Sequence, residues 1–210
     1  MPGRKKEAPA VKWFFDMDNP VMRALSIMAD LLVLNLLTLL CSLPIITAGA
    51  ALTALTEACL RLVRNEDSNL AKDYFRAFKA NFRMGTLLWL LLLAAAAILY
   101  FDYLAALTFV PQLRAGIIAI ALIVLAIAMY AFGLLTRYEN SFAGTLKNAA
   151  KLAVGFFPRT VLMLVFAVSM WLLCIHFYKF GSLILLLLGL ALPAYVCAIV
   201  LNDVFRKIEK

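Results

Sequence analysis

The sequence predicts an all-α fold: a polytopic transmembrane helical bundle with about six crossings and two interfacial amphipathic helices. Three observations carry this. Of 210 residues, 65% are apolar and only 15% are charged, against roughly 45–50% and about 25% in ordinary soluble domains. The five longest apolar runs, residues 24–46, 84–101, 115–136, 160–178 and 180–202, hold 105 residues, half the chain. Each has at least the 18 or so residues needed to cross a ~30 Å hydrocarbon core at 1.5 Å per residue. The third observation is where the charges fall. The 20 basic residues outnumber the 12 acidic ones and cluster in short segments that flank the runs, as bilayer topology requires.

The chain reads as a single integral membrane domain over residues 1–210. Residues 1–12 form a basic tail, with Pro2, Gly3, Pro9 and three successive basic residues, and are expected to be disordered. A cleaved leader is disfavoured: the first apolar run is 23 residues long, against about 7–15 in a leader's apolar region. This run, residues 24–46, carries one charge, Asp30, and Pro44 should end or kink its helix. Residues 45–63 follow as a short return segment, so 24–63 is a first span with a full or half helix behind it. Ala50, Ala54 and Ala58 recur at i, i+4 and i+8 there, a row of small side chains that lets a neighbouring backbone approach. Charge decides that this segment returns to the side the chain came from. With that return and a cytoplasmic N-terminus, 18 of the 20 Lys and Arg residues lie inside and only Arg114 and Lys179 outside; without it only 7 lie inside. The positive-inside rule selects the first arrangement, with both termini inside.

Residues 67–136 read as an interfacial helix followed by a hairpin of spans. On a helical wheel Lys72, Arg76, Lys79 and Arg83 gather on one side. Ala71, Phe75, Phe78 and Phe82 form a second face about 110° away, the pattern of a helix lying in the headgroup layer. Asp67, Ser68 or Asn69 are its cap candidates. Residues 140–202 repeat the plan. Asn140 and Ser141 are cap candidates, Phe142, Leu146, Ala149, Ala150, Ala153, Phe156 and Phe157 form an apolar side, and Lys147 and Lys151 lie opposite. The two units are offset by about 75 residues, with Phe82-Arg83-Met84-Gly85-Thr86 and Phe157-Pro158-Arg159-Thr160 in corresponding places, the pattern of a parallel internal repeat.

Little chemistry is written in the sequence. Neither a phosphate-binding loop nor a G-x-S-x-G or H-E-x-x-H pattern is present, so the chain is expected not to be an enzyme. Cys41, Cys59, Cys174 and Cys197 are scattered, and with one histidine no metal site or cofactor is expected. The basic residues already serve topology, so nucleic acid is not an expected partner. The lipid bilayer is, and association between copies of the chain stays open. Asp30, Asn35 and Glu57 are the intramembrane polar set, since polar groups inside spans should face protein or a water-filled cavity. Glu57 has the simpler alternative of a salt bridge to Arg61 or Arg64 near the cytoplasmic interface. Asp16, Asn19, Arg23, Arg61, Arg76 and Lys79 are the candidate partner or interface contacts, drawn from a structured cap before the first span and from the basic flanks.

Several ordered motifs resemble the YesL family of small bacterial membrane proteins. They are Phe15-Asp16-Met17-Asp18-Asn19-Pro20-Val21-Met22-Arg23, Ala29-Asp30 with Asn35, Leu43-Pro44-Ile45-Ile46-Thr47-Ala48-Gly49-Ala50, Arg61-Leu62-Val63-Arg64-Asn65-Glu66 and Tyr74-Phe75-Arg76-Ala77-Phe78-Lys79-Ala80-Asn81-Phe82. The C-terminal half is similar in pattern and length. Members of that family often accompany carbohydrate-uptake and polysaccharide-degradation systems. The resemblance therefore implies an accessory role beside the membrane subunits of a sugar ABC importer in a bacterial cytoplasmic membrane. The family supplies no catalytic residues to transfer. A small solute transporter or channel acting on its own is the alternative, favoured by the repeat, the break at residues 44–49 and the polar set.

Overall fold

The computed structural model describes residues 20–66, 69–108, 110–138, 141–176 and 189–208. Every regular element among them is helical. Helix α1 spans Pro20–Cys41, a 3-10 turn covers Ile45–Thr47, and α2 spans Ala48–Val63. Helix α3 is Leu70–Ala80, α4 is Phe82–Thr108, and a second 3-10 turn at Pro111–Leu113 leads into α5, Arg114–Leu135. Helices α6, α7 and α8 are Phe142–Gly155, Phe157–His176 and Ala191–Ile208. Four segments are long and apolar enough to cross a membrane: Met22–Cys41, Ile45–Val63, Phe82–Leu107 and Pro111–Leu135. A fifth is added if α6 and α7, bent by 98° at Phe156, count as one.

Local sequence explains the boundaries. Pro20 opens α1, where its fixed φ suits a first turn. Ser42 donates its hydroxyl back to the carbonyls of Thr38 and Leu39, and Pro44 has no N–H with which to continue the helix. Ser141 caps α6, its hydroxyl accepting from the Gly144 amide at 3.2 Å, as the sequence predicts. Asn69 precedes α3 without a side-chain cap bond, while the other candidates, Asp67, Ser68 and Asn140, lie outside the described residues, as does the tail at 1–12. Helix α4 continues past the apolar run 84–101 to Thr108.

Two elements depart from the sequence reading. The last apolar run, 180–202, is not one unbroken helix. A turn at Gly189-Leu190 precedes α8, which starts at Ala191 and extends beyond the run to Ile208. Pro193 fits this start because it lies in the first turn, where backbone N–H groups have no intrahelical partner. The interfacial helix ends at Ala80 rather than Arg83. Tyr74 and Ala77 are buried, whereas Phe75 and Phe82 are exposed. Phe78 packs partly against the core, so the phenylalanine row is divided between the bundle and the outer surface, and Tyr74 takes the buried side.

Helix α2 is the hub, packing against α1, α3, α4, α5 and α8. Its alanine row is buried as predicted: Ala50, Ala54 and Ala58 are all in the core, with Gly49, Thr53 and Cys59. Lipid gives apolar bulk no drive to associate, so close backbone approach must supply the contact. Gly49 and Gly85 show it most clearly. A methyl group built on Gly85 would lie 2.7 Å from Thr53 Oγ1 and 3.0 Å from the Gly49 carbonyl, and one on Gly49 would collide with Gly85 and Trp89. Helices α5 and α8 complete the inner layer through Tyr130, Ala131, Leu201 and Phe205, all at most 1% exposed. Helix α4 shows mostly apolar surface outward. The short helix α6 packs on α5 and meets α7 at Phe156, just as α3 packs on α2 and meets α4 at Asn81.

Candidate functional site

Polar side chains gather where α2, α5 and α8 end and α3 and α7 begin. Arg61, one turn after Glu57, bonds it at 3.0 Å and lies 3.8 Å from Asp73 on α3. Glu57 also accepts from the Asn81 amide at 3.5 Å, which fixes the α3–α4 break to α2. Arg64 donates its Nε to Asn202 of α8 at 3.2 Å and pairs with Glu66 at 3.5 Å. Arg23 of α1 donates to Asn65 Oδ1. Arg159 at the start of α7 pairs with Asp203 at 2.6 Å and lies over the Phe156 ring. Arg137 stacks 5.3 Å above the Phe205 ring, which Tyr138 meets edge-on. Glu57, Arg61, Arg64, Glu66 and Arg137 border a polar recess of about 80 Å³.

These contacts tie helix ends together, and they spend both glutamates on neighbouring guanidiniums. What remains for the surroundings is the outer side of α3. Arg76 is 60% exposed and held at 2.6 Å by Asp73, and Lys72, Lys79 and Arg83 are exposed beside it. Beneath them Tyr74 is fully buried and donates to the Ala51 carbonyl at 3.3 Å. Burial pushes its phenol well above the ordinary tyrosine value, so it stays a neutral donor. The second short helix is pinned in a similar way. Thr160 Oγ1 gives its one proton to the Ala153 carbonyl at 2.8 Å, so Tyr130 is the donor in the 3.1 Å bond between their hydroxyls.

The intramembrane polar set is spread rather than joined: no contact among the described residues links two of its members. Asn35 is fully buried, and its Oδ1 accepts from the amides of Leu190 and Ala191 at 2.9 and 3.0 Å, capping α8 from another helix. Glu57 takes the salt bridge to Arg61. Asp30 is partly buried on α1, and its carboxyl group makes no hydrogen bond or ion pair with another described residue. Among the candidate contacts, Arg23, Arg61 and Arg76 join this end of the bundle and Lys79 is exposed nearby; Asp16 and Asn19 lie outside the described residues. Sequence reasoning missed Tyr74, Asn65, Asn81, Asn202 and Asp203 as partners. Asn65 and Asn81 sit just past helix ends, which was the one available signal for them, while Asn202 and Asp203 lie inside α8.

A separate crevice of about 700 Å³ opens between α4 and α5, bordered by Trp89, Tyr100, Met129, Phe132, Trp171 and Leu190. Its described lining carries no charged side chain.

Residues 31–103 match the family described as protein of unknown function, DUF624. No curated protein and no solved structure matches the chain.

Proposed function

We propose that the chain, whose residues 31–103 match the DUF624 family, is a non-catalytic partner subunit. It sits in a bacterial cytoplasmic membrane and assembles with the membrane subunits of a carbohydrate ABC importer. The observation that carries this reading is α3. One face is locked to the bundle through Tyr74, Ala77 and Asp73, and the other presents three cations, Lys72, Arg76 and Lys79, with the exposed ring of Phe75, continued by Phe82 and Arg83 at the start of α4. A helix needed only to float in the headgroups would not require that anchorage; one that presents a fixed charge pattern to another protein would. The importer as partner rests on the YesL resemblance.

Both termini, α3 and α6 are cytoplasmic in this reading, supported by the 18 basic residues that this orientation gathers on one side. The described large crevice is apolar, so it offers a sugar almost none of the hydrogen-bonding groups that a polar solute needs. That favours a partner over a transporter acting alone. Purified protein in liposomes separates the two readings. Oligosaccharide flux should stay at the level of protein-free vesicles, and robust flux without added subunits would overturn the partner assignment.

A further inference from the structure

We propose that the α1–α2 hairpin is re-entrant: its tip, residues 42–47, ends among the acyl chains of the leaflet it enters and does not reach the far side. The depth follows from the register of α2 on α4. Glu57 meets Asn81, Thr53 meets Gly85, and Gly49 meets Trp89. Four residues back along α2 is four residues forward along α4, so the helices are antiparallel and the 3-10 turn Ile45–Thr47 also touches α4. Asn81 ends the interfacial helix and marks the membrane surface. From Glu57 to Ala48 is nine residues, about 14 Å at 1.5 Å per residue. From Trp89, α4 runs on to Thr108, another 19 residues or about 28 Å. The tip is thus level with the third turn of α4 and near half the depth of a ~30 Å core.

The chemistry of the tip fits that depth. Its exposed side chains are all apolar: Leu43 at 76%, Ile45 at 70%, Ile46 at 60%, and Pro44. Both hydroxyls turn inward. Ser42 bonds Thr38 and Leu39 carbonyls, and Thr47 bonds the carbonyls of Cys41 at 2.6 Å and Pro44 at 2.8 Å. Non-helical backbone is tolerated in hydrocarbon only where protein satisfies its polar groups. A loop in water would have no reason to show three large aliphatic residues and hide its two hydroxyls. Acyl chains are therefore the partner of this surface. The proposal is independent of the partner-subunit reading, and it keeps the charge distribution intact because the hairpin returns to the side it left.

The test uses the full chain in a cysteine-free background, with Leu43→Cys, Ile45→Cys and, in the α4–α5 connection, Gln112→Cys. In intact cells an impermeant maleimide should label Gln112→Cys and neither tip variant, while both tip thiols should react after denaturation. In vesicles of phosphatidylethanolamine and phosphatidylglycerol, bimane on Ile45→Cys should be quenched by doxyl groups deep in the acyl chains and lose that quenching when doxyl lipid is omitted. Tip labelling from outside at the Gln112→Cys rate would overturn the proposal, since the hairpin would then cross. So would bimane that doxyl lipid does not quench, together with Ile45→Cys cross-linking between copies, because a second chain would then cover the tip.

Discussion

Asn35 illustrates how a buried polar side chain in an apolar helix can hold the architecture. Its carbonyl oxygen receives two amides at the start of α8, in a place where water is excluded. Asn35→Leu keeps the volume but orphans both N–H groups, each worth about 1–3 kcal/mol when buried without a partner. We expect a loss of about 2–4 kcal/mol, seen as a large drop in the detergent melting temperature. Asp30→Asn should change stability by no more than about 0.5 kcal/mol, because the Asp30 carboxyl group bonds no other described residue. Equal melting of the two variants would show that the cap contributes nothing. The sequence marked Asn35 as a polar residue inside a span, but it could not reveal the acceptor role. The donors lie 155 and 156 residues away, at a helix start that an unbroken apolar run conceals.

At the level of elements, α2 depends on close approach rather than bulk. Gly49→Ala places a methyl group against the Gly85 backbone and Trp89, and overpacking of this kind costs about 1–3 kcal/mol. Gly116→Ala meets nothing within 4 Å and should be neutral or slightly stabilising, since alanine is the better helix former by about 1 kcal/mol. Thermal melting of the two variants should therefore diverge; matching curves would mean that α2 and α4 separate readily. The alanine row and the Pro44 break were legible because both act through local geometry. Helix α6 and its Ser141 cap were legible for the same reason. The packed face of α3 was not, since a helical wheel ranks phenylalanine above tyrosine and cannot tell lipid from protein. The break at Gly189-Leu190 was equally hidden, because its stabilising partner comes from α1.

Over the whole molecule, the membrane character and the helical class are legible from composition, since spans must be long and apolar whatever they do, and most of the ordered motifs fall in the stretch that matches DUF624. The basic cluster was only half visible: its cations follow from topology, but their carboxylate and asparagine partners are set by tertiary packing. Orientation can be checked with single cysteines. Ser68→Cys and Ser141→Cys should resist an impermeant thiol reagent in intact cells, and Gln112→Cys should react; labelling at position 68 would reverse the side on which α3 lies. The partner assignment makes a sharper demand on α3. Arg76 is fixed by Asp73 yet open to the surroundings, and its planar guanidinium can make a two-point contact that lysine cannot reproduce. A lipid-surface role would instead treat the four cations alike, each worth about 1 kcal/mol. The most direct measurement is a native pull-down from the source membrane, with co-purifying proteins identified by mass spectrometry, run on the wild type, Arg76→Lys and Lys72→Arg. The account predicts membrane subunits of a sugar ABC importer with the wild type and Lys72→Arg, and their depletion with Arg76→Lys at unchanged expression and insertion. Recovery of no importer subunit by the wild type, or equal recovery by all three chains, would contradict it.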